Sequence, residues 1–338
     1  MPMKVKDLGE FGLIGLLAEI VDREKDSRQP SWRRLLIGIG DDAAVWHKGS
    51  AVQLATTDSL IEGVHFTPDI TTWKDLGWKA LAVNLSDIAA MGGVPEYALV
   101  SLALPGDTEV ASVSDLYCGM VELAREFGVA IVGGNISAAD RVMITITVLG
   151  SAETDVLLRR SSAMPGEKVA VTGYPGLSAG GLKMLRQKLD FPPDEHRLLC
   201  RAHLRPVPRV KEAQVLLHSG VSTAIDISDG LMADLSHICK ASGVSAVVRE
   251  ELLPVHPVLK RRFPREWRKM VLGGGEDYEL LFTASSELIA RLKRELLCPV
   301  TEIGEIGSGK VGEVKLLDEQ GKSRTWRRGG WEHFRYES

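Results

Sequence analysis

At 338 residues, with 44% apolar and 25% charged side chains, the chain is long enough to bury two cores and has the composition of an ordinary folded enzyme. A net charge of −4 and the absence of any long Lys/Arg block argue against a nucleic-acid partner. No apolar run approaches the roughly 18 residues of a membrane span, and four scattered cysteines without a C-x-x-C spacing fit the free thiols of a cytoplasmic protein better than a zinc site or a disulfide framework.

In chain order, "FGLIGLLAEI" reads as an amphipathic first helix; Asp7, Glu10 and the lack of a small-residue cleavage site set it apart from a signal peptide. "AVQLATTDSL" reads as a strand leading into "IEGVHF". A helix is expected from about Thr72 to Met91, stopped by "GG" with Pro95 beyond. "EYALVSLALP" is a second strand, "TEVASVSDLYCGMVELAREFG" a long helix ended by Gly128, "VAIVGG" a third strand and "RVMITITVLG" a fourth. After a junction at "SAETDVLLRRSSAMPGE" come the strand "KVAVTG" and the helices "SAGGLKMLRQKL" and "VPRVKEAQVLLHSG". Next are the strand "STAIDIS", the helix "DGLMADLSHICKASG", the turn and strand "GGGEDYELLFTA" and the helix "SSELIARLKREL". The basic stretch from Lys260 to Lys269 reads as a solvated helix or loop. The expectation is an α/β (α+β) chain of two domains, 1–150 and 151–338, with a four-stranded mixed sheet and helices in the first.

The chemistry concentrates in aspartates. "GIGDDAAVW" sets Asp41 and Asp42 between glycines and an apolar run, where a charge needs neutralising. Asp58 ends a strand behind Thr56 and Thr57, and "AIDISDG" puts Asp226 and Asp229 at a strand-to-helix turn. On the Thr72–Met91 helix, Leu76, Ala80, Val83 and Asp87 share one face, so Asp87 continues an apolar stripe. Each aspartate alone reads equally well as a cap or turn residue. Together they suggest a basin of hard oxygen ligands suited to magnesium better than zinc; calcium fits the same donors, though no EF-hand loop occurs. Such a basin handles phosphates, since divalent ions reverse the repulsion between carboxylates and a nucleotide. "GYPGLSAGGLK" lacks the ending of a Walker A loop, and neither H-R-D nor D-F-G occurs.

The segments "GIGDDAAVW", "ATTDSLIEGVHF", "WKALAVNLSDIAAMGG", "RSSAMPGEKVAVTG", "AHLRPVPRV", "AIDISDGLMADLSHI" and "GGGEDYELLFT", in this order and followed by a terminal "GGWEHF", resemble the thiamine-monophosphate kinase family of the aminoimidazole ribonucleotide synthetase superfamily. The resemblance implies ATP-dependent phosphorylation of thiamine monophosphate by direct in-line transfer, several magnesium ions, and a homodimer whose N-terminal sheets form a barrel-like core. It implies Asp42, Thr56, Thr57, Asp58, Asp87, Asp226 and Asp229 as metal ligands, the five aspartates being catalytic. Gly134, Asn135, Arg160 and Ser228 match nucleotide contacts, and His65, Glu276 and Trp331 match contacts to the thiamine substrate. By residue type alone, His65 reads better as a core histidine than as a ligand, and Trp331 reads equally well as a core aromatic. In "VGGNIS", Asn135 stands where the family has an aspartate; it keeps one oxygen ligand and loses a charge, which predicts that one magnesium binds more weakly. The competing readings are another magnesium-dependent ATP-using enzyme of the superfamily and a non-catalytic nucleotide-binding module. The N-terminal segment lacks a cysteine of the selenophosphate synthetase kind, and the chain ends "HFRYES" rather than in the cysteine of the hydrogenase-maturation relative.

Overall fold

The alternation of apolar and polar residues through "AVQLATTDSLI" and "MITITVLGSA" makes two long antiparallel strands, β3 (Ala51–Ile61) and β6 (Met143–Ala152), paired from Val52↔Ala152 to Ile61↔Met143. The computed structural model describes residues 10–16, 18–19, 30–49 and 51–324. Outward from β3 run β2 (Ala44–Lys48) and β1 (Leu35–Ile37); outward from β6 run β4 (Val94–Leu104) and β5 (Ala130–Ala138), giving a six-stranded sheet in the order β1-β2-β3-β6-β4-β5. This corrects the expected four strands. β1 has three residues and β2 five, flanking the aspartate pair. Strands so short show no clear period in sequence, and they form because Leu35 and Ile37 find Trp46 and Val45 as partners.

Two helices cover one face of this sheet. A short α1 (Pro30–Arg34) precedes it, and α2 (Trp73–Ala90) and α3 (Val110–Phe127) pack on it and on each other. Thr72 caps α2 by accepting the Asp75 N–H at 3.1 Å, and α3 stops at Gly128 with a left-handed φ of 71°. The two helices cross closely: a Cβ on Gly119 would lie 1.8 Å from the Lys74 carbonyl oxygen, and one on Gly77 1.8 Å from that of Leu116. Helix α2 is buried nearly all round, from Leu76 to Ala90, with Asp87 the least covered residue of that run. It is therefore not a surface helix with one apolar stripe but the joint between the two halves of the chain.

The second half forms a seven-stranded mixed sheet ordered β13-β12-β9-β11-β7-β10-β8. Its strands are β7 (Lys168–Thr172), β8 (Thr223–Asp226), β9 (Ser245–Arg249), β10 (Leu280–Ala284), β11 (Val300–Gly307), β12 (Val314–Leu317) and β13 (Ser323–Arg324). The helices are α4 (Leu177–Arg186), α5 (Pro193–Leu204), α6 (Val210–His218), α7 (Leu231–Ser242), α8 (Pro257–Arg262), α9 (Trp267–Gly273) and α10 (Ser286–Glu295). Helix α5 and strands β9, β11, β12 and β13 go beyond the elements read from sequence. The basic stretch splits into α8 and α9, where Arg261 and Arg262 pair with Glu195 and Arg268 pairs with Glu250. One hydrophobic cluster joins the halves: Ala89 and Ala90 of α2 pack with Ala213 and Leu216 of α6 and Phe282 of β10. Trp78 completes the joint by donating its indole N–H to the Pro206 carbonyl at 2.8 Å.

Candidate active site

The joint brings distant carboxylates together. Asp42 follows the β1 turn, Asp87 sits in the last turn of α2 and Asp226 ends β8. Each offers an oxygen, and these oxygens lie within 4.8 Å of one another. Each carboxylate is held from a different side. Thr56 on β3 donates its hydroxyl to Asp87 Oδ2 at 2.6 Å. Ser86 on α2 donates to Asp226 Oδ2 at 2.6 Å. Arg160, in a short 3₁₀ turn between the domains, clasps Asp42 through Nη2 at 2.5 Å and Nε at 3.0 Å. Asp41 is drawn to the same guanidinium at 3.7 Å and accepts the Asp42 backbone N–H at 3.0 Å, so it shapes the turn. Asp58 is more exposed; its backbone N–H is fixed by Asn84 Oδ1 at 3.0 Å.

Electrostatics show what the group lacks. Burial, then the charge of Asp42, pushes Asp226 up to about 7. Burial, then Asp58, Asp226 and Asp42, pushes Asp87 well above the ordinary carboxylate range. Burial and Asp42 push Asp41 up to about 6. Arg160 alone does not balance this set. A buried carboxylate cluster with oxygen donors only, and with threonine and serine hydroxyls at its rim, fits a hard divalent cation such as magnesium.

Asp229 enters a second group with Asp234 and His237, whose ligand atoms also lie within 4.8 Å of one another. Asp234 accepts the Gly230 N–H at 3.0 Å. Burial, with Arg160 and Lys240 nearby, pushes His237 down to about 4, and the Phe11 ring of the N-terminal helical segment lies 4.4 Å from its imidazole. Ser228, half-buried, occupies the turn between the two groups, and its carbonyl accepts the Glu276 N–H at 2.7 Å.

A third cluster lies beside the first. The run Gly273–Gly275 lets the chain pass against the β8 turn; a Cβ on Gly275 would lie 2.4 Å from the Ser228 carbonyl oxygen. Glu276 and Tyr278 then adopt left-handed φ values of 63° and 51°. Glu276 Oε1 meets the buried Lys79 Nζ at 2.7 Å, and its Oε2 lies 3.5 Å from His203 Nδ1. Burial opposes the charge on Glu276, but Lys79 beside it outweighs burial and holds the carboxyl below its usual range. Burial, with Lys79 beside it, pushes His203 down to about 3, so this ring is neutral, and its Nδ1 lies 3.1 Å from Ser178 Oγ. His65 accepts the Ile61 N–H at Nδ1, 3.0 Å away, in the turn after β3.

Most expected residues thus converge, and three do not. The Thr57 hydroxyl lies on the other face of β3, bonded to the Ile146 carbonyl at 3.2 Å and to Thr147 at 3.1 Å. Asn135 pairs with Ser101 on the same open face, and Gly134 with Val100, both in exposed edge strand β5. By register, Thr57 and Asn135 lie across the sheet from the carboxylates, whereas Gly134 sits opposite the buried Val100 in the edge strand. Trp331 lies outside the described residues. The structure adds Lys79, Ser86, His203, Asp234 and Tyr278. Lys79 was visible as a lone cation in the otherwise apolar "LGWKALAVNL"; the others look in sequence like ordinary core or cap residues.

Residues 40–152 match the family described as AIR synthase related protein, N-terminal domain, and residues 164–316 match the corresponding C-terminal domain. Thiamine-monophosphate kinase of Bacillus subtilis (strain 168) is 38% identical over 306 residues, 88% of this chain and 94% of the relative. The enzyme of that name from Aquifex aeolicus (strain VF5) is 36% identical over 336 residues, 98% of this chain and 100% of the relative. The solved structure of AaThiL complexed with AMPPCP and TMP matches with a TM-score of 0.85 and 34% identity, over 98% of this chain and 99% of that one.

Proposed function

This chain belongs to the thiamine-monophosphate kinase family, and from that premise we propose that it transfers the γ-phosphoryl group of ATP in line to the phosphate of thiamine monophosphate, giving thiamine diphosphate and ADP. The observation that carries the reading is the convergence of Asp42, Asp87 and Asp226 from three separate elements, next to the Glu276–Lys79 pair at 2.7 Å. Phosphoryl transfer asks a protein mainly for positioning and charge balance, and the two clusters offer one set of groups for the phosphates and one for the rest of the acceptor.

Asp42, Thr56, Asp58, Asp87, Asp226 and Asp229 would hold magnesium. Bound there, the ions would neutralise phosphate charge and favour the departure of ADP. Arg160 fixes Asp42 and brings a guanidinium to the phosphate side, with Ser228 offering a hydroxyl at the turn. Glu276 and His65 face the organic part of thiamine monophosphate, and Lys79 and His203 set the direction of the Glu276 carboxylate.

The proposed division of labour places nucleotide, metal and dimer contacts in residues 1–150 and the completion of the site in residues 151–338. A homodimer accounts for Thr57, Gly134 and Asn135. Strands β4 and β5 expose Tyr97, Leu99, Val132 and Ile136, and a second copy pairing over this edge and face would cover them and complete the barrel. None of the helices among the described residues is long and apolar enough to cross a membrane, and four unpaired cysteines fit a cytoplasmic location.

Mass spectrometry of the products after mixing the protein with ATP, magnesium and thiamine monophosphate tests the reading. Thiamine diphosphate with matching ADP, and neither without magnesium, is expected. ADP without thiamine diphosphate would assign another acceptor; neither product would leave a binding module.

A further inference from the structure

The segment "GYPGLSAGGLK" has no Walker A ending, and the end of its helix holds a carboxylate of the chain itself. Helix α4 receives no side-chain cap from its own N-cap residue, Gly176, whose φ is 92°. The cap comes from far along the chain. Asp277 Oδ2 accepts the Gly176 N–H at 2.6 Å and Oδ1 accepts the Ser178 N–H at 3.0 Å. A helix end offers unpaired donors at these positions and favours a negative charge there. Asp277 stands between Glu276 and Tyr278, which have left-handed φ values of 63° and 51°; Lys188 is the one other non-glycine residue in that conformation among the described residues. Such residues are costly, and they persist where the surroundings over-determine them. Here the surroundings act from two sides. The Glu276 and Tyr278 N–H groups are donated to the Ser228 and Ile227 carbonyls at 2.7 and 2.9 Å, at the end of β8. Opposite them, the Asp277 carboxylate clasps α4. Gly274 lets the chain into this gap, since a Cβ there would lie 2.7 Å from the Ala179 Cβ of α4. Ser178 serves the corner twice: its Oγ lies 3.1 Å from His203 Nδ1, and that nitrogen lies 3.5 Å from Glu276 Oε2.

We propose that Asp277 is a positioning residue: its clasp on the first turn of α4 holds Glu276 in the left-handed conformation that brings the Glu276 carboxylate to Lys79 and to the organic part of thiamine monophosphate. The substrate half of this statement rests on the kinase reading above; the pairing with Lys79, at 2.7 Å, does not. Asp277 acts through Glu276 and leaves the substrate to it. Both of its oxygens are engaged by backbone N–H groups, and the side chain is half-buried, so it is tied to the scaffold rather than offered to a ligand. A rigid helix end is a firmer support for a binding carboxylate than the loop that carries it.

Crystal structures of wild type and Asp277→Ala test the placement directly. In the variant, Glu276 is expected to leave the left-handed region and its Oε1 to move away from Lys79 Nζ; an unmoved Glu276 would overturn the assignment. Kinetics test the consequence. Wild type must first convert thiamine monophosphate to thiamine diphosphate. If it does not, the kinase reading fails, and the crystal structures still decide whether Asp277 places Glu276. Given turnover, the KM for thiamine monophosphate should rise about tenfold or more in Asp277→Ala, the loss of one aligned contact from a charged group, while the KM for ATP stays as in wild type. In a Glu276→Ala background the same substitution should add little, because the two residues act as one unit. Asp277→Asn keeps the side-chain volume and one acceptor oxygen; it should fall between wild type and the alanine variant, and it takes that variant's place in every comparison if Asp277→Ala does not fold. A cap of structural value only would lower the melting temperature and leave both KM values unchanged. That result, or a full effect of Asp277→Ala without Glu276, would overturn the inference.

Discussion

Replacing Lys79 by Met should damage the protein in a way that acid repairs. Lys79 Nζ lies 2.7 Å from Glu276 Oε1, with side-chain exposures of 5% and 27%. His203 is pushed down to about 3 first of all by burial, which Lys79→Met leaves in place, so the ring offers no second cation at neutral pH. Removing one partner of a buried ion pair leaves the other charge uncompensated, at a cost of about 3–5 kcal/mol; the partial exposure of Glu276 puts the expectation near the bottom of that range, about 3 kcal/mol. The pH dependence follows from the sign of each shift. In wild type the Glu276 carboxyl is held below its usual range, so its stabilisation is full above the unfolded value and is lost as pH falls through the folded one. Without Lys79 burial dominates and the folded pKa rises above the unfolded value. The variant then loses stability as pH rises. The gap between the two proteins should therefore be large at about pH 7.5 and small at about pH 4.5, on either side of the shifted carboxylate. Urea denaturation followed by tryptophan fluorescence at both pH values measures it, and Lys79→Met combined with Glu276→Gln should recover most of the loss. A pH-independent deficit, or one under about 1 kcal/mol, the level of a surface pair, would refute the argument.

Asp226→Asn removes a charge from a carboxylate that burial and Asp42 push up to about 7, so the metal-free protein should melt no lower than wild type while the gain in melting temperature on adding magnesium shrinks and turnover is lost. Thermal melts with and without magnesium, beside the product assay, read both effects. Gly119→Ala would place a Cβ 1.8 Å from the Lys74 carbonyl; forcing α2 and α3 apart should cost about 1–3 kcal/mol or more, seen as a lower denaturation midpoint. Asn135→Asp should lower the magnesium concentration needed for half-maximal turnover; an unchanged magnesium dependence would show that this side chain is no ligand.

The sequence made the long elements legible because their periods were clean. The expected helix of Thr72–Met91 is observed over Trp73–Ala90, with Thr72 as its cap. The two short strands around Asp41 and Asp42 were not legible, since pairing across the turn rather than local pattern makes them. At the site, the aspartates stood out because carboxylates amid glycine and apolar residues demand a reason. The grouping Asp42–Asp87–Asp226 did not, because it arises from α2 crossing between the domains, and Asp229–Asp234–His237 did not because Asp234 and His237 look in sequence like ordinary residues of α7. Thr57 shows the limit in the other direction. Its neighbour Thr56 reaches Asp87 at 2.6 Å, while alternation along β3 turns Thr57 to the opposite face.

The central claim is that Asp42, Asp87 and Asp226 form the metal-bearing floor of a phosphoryl-transfer site. Anomalous diffraction from crystals grown with manganese, a non-hydrolysable ATP analogue and thiamine monophosphate tests it most directly. The account predicts anomalous peaks among the oxygens of these three aspartates, lost in Asp226→Asn. Bound nucleotide with no peak at that cluster, or manganese bound only elsewhere, would contradict it.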